Sequence, residues 1–117
     1  MTNIVPRIGN SSYKSSIINR SSNNDNSRSC FKDNLANDAH YAVSRLKIPA
    51  RCNLPLQRDL HTSKHLTVLS GIIHITLADD IMVLVADESI YVPQGVLHGL
   101  ENRADNPALI ISVDYTA

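Results

Sequence analysis

From Tyr41 onward the chain is punctuated every few residues by turn-forming residues, and no stretch between them sustains a helical period. That rhythm leaves room for short strands and little else. Tyr41 to Ile48 reads as a strand ended by Pro49. Asn53 to Gln57 carries Pro55, which donates nothing to a ladder and so suits an edge or bent strand. His65 to Leu69 is a strand, followed by a turn or bulge at Ser70-Gly71. Ile72 to Leu77 alternates, Ala78-Asp79-Asp80 makes a hairpin turn, and Ile81 to Val85 returns. Ser89 to Val92 and Val96 to Leu100 flank a turn set by Pro93 and Gly95. Ala108 to Tyr115, entered after Pro107, is the last strand. Many short strands at close spacing define an all-β chain, a small antiparallel barrel or sandwich.

Residues 1 to 37 have a different character. Serine and asparagine dominate, as in Ser21-Ser22-Asn23-Asn24-Asp25-Asn26, and such side chains bury little apolar area. This segment reads as a disordered N-terminal extension, with 38–117 as the single folded domain. Ile17, Ile18 and Phe31 are its candidates for docking on the barrel. The formal net charge is +0, but the extension carries five basic side chains against two acidic ones, and the remainder balances it at −3. Overall neutrality gives no drive toward nucleic acid or a membrane surface. No apolar run approaches membrane-spanning length, and the N-terminus lacks a signal-peptide core. Cys30 and Cys52 form no Cys-x-x-Cys pair and read as free thiols of a reducing cytoplasm.

The chemistry concentrates around Pro93, Gly95, His98 and Asn102. His98 alternates with the apolar Val96 and Leu100, so it is expected to point into a barrel mouth. The spacing Pro-x-Gly, two residues, His, three residues, Asn resembles the second motif of the cupin family, whose histidine usually binds a metal. That resemblance implies a double-stranded β-helix. The first cupin motif falls between Leu56 and Gly71. Leu56-Gln57, His61, His65, Val68-Leu69-Ser70-Gly71, Asp87 to Pro93, His98 and Leu100-Glu101-Asn102 are similar to the C-terminal cupin of the type II mannose-6-phosphate isomerases. These are often fused to a mannose-1-phosphate guanylyltransferase. The similarity covers Tyr41 to Tyr115 and includes no nucleotidyltransferase portion.

Carried over by position, the family's metal ligands would be Gln57, residue 59, residue 64 and His98, holding zinc or another divalent ion. Here the family's histidine is replaced by Asp59 and its glutamate by Lys64, and the arginine that usually follows the last histidine is Gly99. Asp59 is an acceptable ligand. Lys64 is not, because an ammonium only donates and repels the ion. Gln57, Asp59 and His98 remain as a three-ligand set. Lys64 pairing with Asp59 inside the mouth is the expected alternative, with Lys64 and Arg58 then free to hold a phosphate.

Two readings follow from the resemblance. As an enzyme, the chain would interconvert mannose 6-phosphate and fructose 6-phosphate, with His61, His65 or Lys64 carrying the proton and Arg58 and Lys64 meeting the phosphate. Activity would be impaired by the altered ligands. As a non-catalytic cupin, it would bind a sugar phosphate or serve as a dimerising module. A homodimer is expected, with Ile72, Ile110 and Ile111 offering apolar area. His74, between Ile73 and Ile75, is expected to face out, and Asp79-Asp80 to be turn chemistry.

Overall fold

The computed structural model describes residues 16–19 and 29–116. The described residues form ten strands: β1 (Ser16–Asn19), β2 (Cys30–Asn37), β3 (Tyr41–Ile48), β4 (Asn53–Gln57), β5 (Thr62–Ser70), β6 (Ile72–Leu77), β7 (Asp80–Val85), β8 (Ser89–Val92), β9 (His98–Glu101) and β10 (Ala108–Thr116). Among the described residues there is no helix, and so none long and apolar enough to cross a membrane.

All pairings are antiparallel and build two sheets. The six-stranded sheet runs β1-β2-β3-β10-β5-β8, and the four-stranded sheet runs β4-β9-β6-β7. The sheets close on one apolar interior, and period-two alternation decides which residues fill it. Leu46 and Ile48 from β3, Leu66 and Val68 from β5, and Ile110 from β10 meet Ile73, Ile75 and Leu100 from the smaller sheet.

The expected strands are all present, several with the expected bounds. β7 and β10 are each one residue longer than expected, and two strands differ by more. β5 begins at Thr62 and not at His65, because its first residues pair with the far end of β10. β9 begins at His98, since Pro93 to Leu97 are spent on the turn. Opposite Ser70 the register shifts between Leu109 and Ile110, which places the expected bulge next to Gly71.

The domain starts earlier than residue 38. Cys30–Asn37 is a full strand paired with β3, and Cys30 lies in the core. Its polar sequence gives no strand signal of its own, because the ladder to β3 supplies the order. The expectation for residues 1–15 and 20–28, and for the side chains of Ile17 and Ile18, lies outside the described residues. Phe31 is half-buried on the outer side of the larger sheet.

This strand also brings the two cysteines together. The Cys30 thiol donates to the Asn53 carbonyl at 3.8 Å, one residue after Cys52, and both cysteines pack against the core. Burial, and then the neighbouring Cys52, pushes the Cys30 thiol up to about 11. Neither is in a disulfide.

Candidate functional site

The mouth of the barrel lies where β4, β8 and β10 end and β5 and β9 begin. Two loops are stitched there. The Gly95 N–H donates to the Asp59 carbonyl at 2.7 Å, and the Gln94 carboxamide donates to the Leu60 carbonyl at 2.8 Å. The two sequence motifs, more than thirty residues apart, therefore share one rim. Gly95 has φ +82°, and a Cβ there would meet nothing within 4 Å, so the residue serves the turn's backbone and not packing.

His98 points inward as expected and is 3% exposed. Its Nδ1 lies 3.0 Å from the Val96 carbonyl, which accepts only if Nδ1 carries the proton. Nε2 is then the acceptor, and it is buried without a partner. Gln57 stands opposite His98 across the β4–β9 ladder and is exposed. The Asp59 carboxylate accepts the His61 backbone N–H at 3.0 Å. That bond is the main reason its carboxyl lies below the usual range, with smaller help from the nearby Lys64 charge and the Thr62 hydroxyl.

Lys64 faces the interior, on the same side of β5 as Leu66 and Val68. Its ion pair is with Asp114 and not with Asp59: Nζ lies 3.2 Å from Asp114 Oδ2. The register explains this, since β5 and β10 set Lys64 directly against Asp114. The Ser112 hydroxyl donates to the other carboxylate oxygen at 2.6 Å, and Lys32 on β2 approaches at 3.9 Å. Lys64 and Asp114 are 16% and 14% exposed. The Asp114 carboxylate lies between two ammonium groups, and the Asp59 carboxylate, close enough to feel Lys64, offsets the remaining positive charge. Asp114 was not legible as a site residue, because nothing near it in the chain marks it.

The other candidates lie elsewhere. His65 is exposed on the outer face of the larger sheet, opposite Tyr91, because alternation sends it the opposite way from Lys64. His61 is exposed in the loop before β5, and Arg58 is exposed in the same loop. Neither histidine reaches the interior. His74 lies on the outer face of the smaller sheet as expected, half-buried, with Nδ1 buried and unpartnered. Gly99 lies on the opposite side of β9 from His98. A Cβ there would sit 3.1 Å from Leu56 Cδ2 and 3.2 Å from the Leu54 carbonyl, so Leu56 occupies the place an arginine would need.

The donor chemistry does not fit a divalent metal ion. Such an ion wants several imidazoles or carboxylates, and no group of three or more His, Cys, Asp or Glu among the described residues is placed to share one. His98 Nε2 is suited to the task, but Asp59 is engaged by His61 and Lys64 brings a positive charge.

Asp114→Ala is expected to destabilise the fold by about 2 kcal/mol in urea unfolding, because it strands a largely buried ammonium. Lys64→Met, which keeps the side chain's bulk, is expected to cost less than about 1 kcal/mol, since Lys32 still faces the carboxylate. Equal losses in the two variants would show that the pair does not carry the effect.

Two apposed antiparallel sheets with an inward histidine at the mouth define a cupin barrel. The cupin domain of Schizosaccharomyces pombe Cnp3 superposes with a TM-score of 0.72 at 18% identity, covering 75% of this chain and 65% of that one. KdgF from Halomonas sp. superposes at 0.71 and 12% identity, covering 75% and 81%. Residues 28–117 match the family model described as mannose-6-phosphate isomerase C-terminal, and the chain belongs to that family. The mannose-1-phosphate guanylyltransferase 2 of Escherichia coli O157:H7 is 35% identical over 81 residues. The xanthan biosynthesis protein XanB of Xanthomonas campestris pv. campestris strain B100 is 31% identical over the same length. In both comparisons the match covers 69% of this chain but only 17% of the relative.

Proposed function

We propose that this barrel binds a mannose phosphate or a closely related sugar phosphate without isomerising it. The observation that carries the reading is the Lys64 ammonium held at the mouth by Asp114, where the family pattern has a metal-binding carboxylate. With Lys32 beside the same carboxylate, two ammonium groups stand at the mouth as donors for a phosphate. The unpartnered His98 Nε2 would accept a sugar hydroxyl. Arg58 lies on the adjoining loop, exposed and able to reach an anion at the rim. The ligand class is suggested by the mannose-6-phosphate isomerase C-terminal family and by the mannose-1-phosphate guanylyltransferase relatives. His98 keeps one free nitrogen, Nε2, while the Asp114 carboxylate is held by Ser112 and Lys64, so among the described residues no second interior histidine or carboxylate is free to share a proton transfer between adjacent carbons.

The test is calorimetric titration of the full chain with mannose 6-phosphate, with and without a chelator, beside an assay for fructose 6-phosphate. Binding that survives chelation and weakens at least about 10-fold in Lys64→Met is the expected result. No binding in either condition overturns the ligand assignment. Turnover by the native chain that requires added divalent ion overturns the non-catalytic reading. The double replacement Asp59→His, Lys64→Glu restores the family's ligand types, and metal-dependent turnover in it alone would fix the cause on those two positions.

A further inference from the structure

The turn after β3 brings the chain's two cysteines to one place. The β2–β3 ladder runs through the Phe31–Lys47 pair, which carries Cys30, one residue further, to the end of β3. There the chain reverses at once. The Cys52 N–H donates to the Pro49 carbonyl at 3.2 Å, and Arg51 takes φ 65° in the left-handed region. A turn this tight returns Cys52 to the end of the strand it has just left. Cys30 meets it from the other side, since its thiol reaches the carbonyl of Asn53, the residue after Cys52. Both side chains pack on the same apolar cluster.

The two thiols differ in access. Cys30 is 1% exposed, and burial holds its proton firmly. Cys52 is half-buried, so a small solute reaches it first.

We infer that Cys30 and Cys52 are a dithiol that closes to an intramolecular disulfide under oxidation, and that closing it fixes β2 to the barrel. The oxidant is a small disulfide, of which oxidised glutathione is the probe. The Cys52 thiolate attacks one of its sulfurs, a mixed disulfide forms, the oxidant's S–S bond breaks, and one glutathione leaves as the thiolate. Cys30 then gives its proton to solvent and attacks Cys52 Sγ, and the second glutathione leaves. Two protein thiols have become one disulfide, one oxidised glutathione has become two reduced ones, and the two protons end on them.

The strand tied in this way has the least hold of its own. β2 is polar, and Cys30 is its one wholly buried residue. β1 borders it only from Cys30 to Lys32, and beyond that no described strand lies on its far side. The bridge turns a single core contact into a covalent one. Lys32 is two residues further on and approaches Asp114 at 3.9 Å, so the same bond steadies one of the two ammonium groups at the mouth.

The full chain, equilibrated with oxidised and reduced glutathione in varied ratio and quenched with acid, is read by intact mass and by a peptide map without reduction. The expected result is the loss of two hydrogens and a pair of peptides joined from Cys30 to Cys52. A bridge closing a loop of about 20 residues is expected to raise the melting temperature by about 10 °C. Amide exchange of residues 32–37 is expected to slow about 10-fold, and dithiothreitol to reverse every change. Cys30→Ala is expected to stop with one glutathione on Cys52, and Cys52→Ser to take up none. If either variant misfolds, the peptide map of the native chain decides alone. A native chain that ends as a stable glutathione adduct, joins a second chain through sulfur, or stays reduced in oxidised glutathione overturns the inference. A bridge that leaves exchange in β2 unchanged overturns its tie to that strand.

Discussion

Asn102→Ala is expected to lower the unfolding free energy by about 4 kcal/mol, a large part of what a domain this size possesses. Asn102 is 1% exposed, at the closed end of the barrel away from the mouth. Its Nδ2 is shared among the carbonyls of Ile48 at 3.0 Å, Pro49 at 3.1 Å and Asn106 at 2.8 Å. Its Oδ1 accepts the Ala104 N–H at 3.0 Å. Its backbone N–H donates to the Cys52 carbonyl at 2.9 Å. One side chain therefore satisfies the end of β3 and the loop from β9 to β10, where alanine would leave several polar groups buried without partners. Equilibrium urea unfolding measures the loss, and a change below about 1 kcal/mol would mean that water replaces the carboxamide. Asn102→Asp sharpens the test. A carboxylate facing three carbonyls resists ionising, so the folded-state pKa is raised. Its stability is then greatest below the unfolded carboxylate value near 4 and falls as pH rises through neutrality.

Gly71→Ala is expected to cost about 3 kcal/mol, from two separable causes. The glycine has φ +90°, in the region where an L side chain pays about 1 kcal/mol or more. The added Cβ would also lie 2.9 Å from Ala108 Cα and 3.0 Å from both Ala108 Cβ and the Pro107 carbonyl oxygen. These are backbone or near-backbone atoms at the start of β10 and of the proline before it, so neither side yields cheaply. Gly95→Ala provides the comparison, since Gly95 has φ +82° but open space around it. It is expected to lose only the conformational part, about 1 kcal/mol. Thermal unfolding of the two variants side by side isolates the packing contribution, and equal losses would refute it.

Local alternation made most of this fold legible. β3, β4, β6 and β8 have the bounds that their turn residues and period-two pattern indicate. β2 was not legible, because Cys30 is the only wholly buried residue in a polar run and order comes from the neighbouring strand. The site divides along the same line. His98 was readable, because its inward direction depends only on its immediate neighbours. The partner of Lys64 was not, because Asp114 lies fifty residues away and arrives by strand register. Proximity along the chain favoured Asp59 instead. His65 could have been set aside from the sequence alone, since a strand that turns Lys64 inward must turn its successor outward.

The stitched rim has a kinetic consequence. Because Gly95 and Gln94 hold the loop of Asp59 and Leu60 by two hydrogen bonds, neither segment can swing away alone. A small solute must enter past side chains over a threshold of fixed width, and its arrival rate should follow its size and charge more than any slow backbone rearrangement.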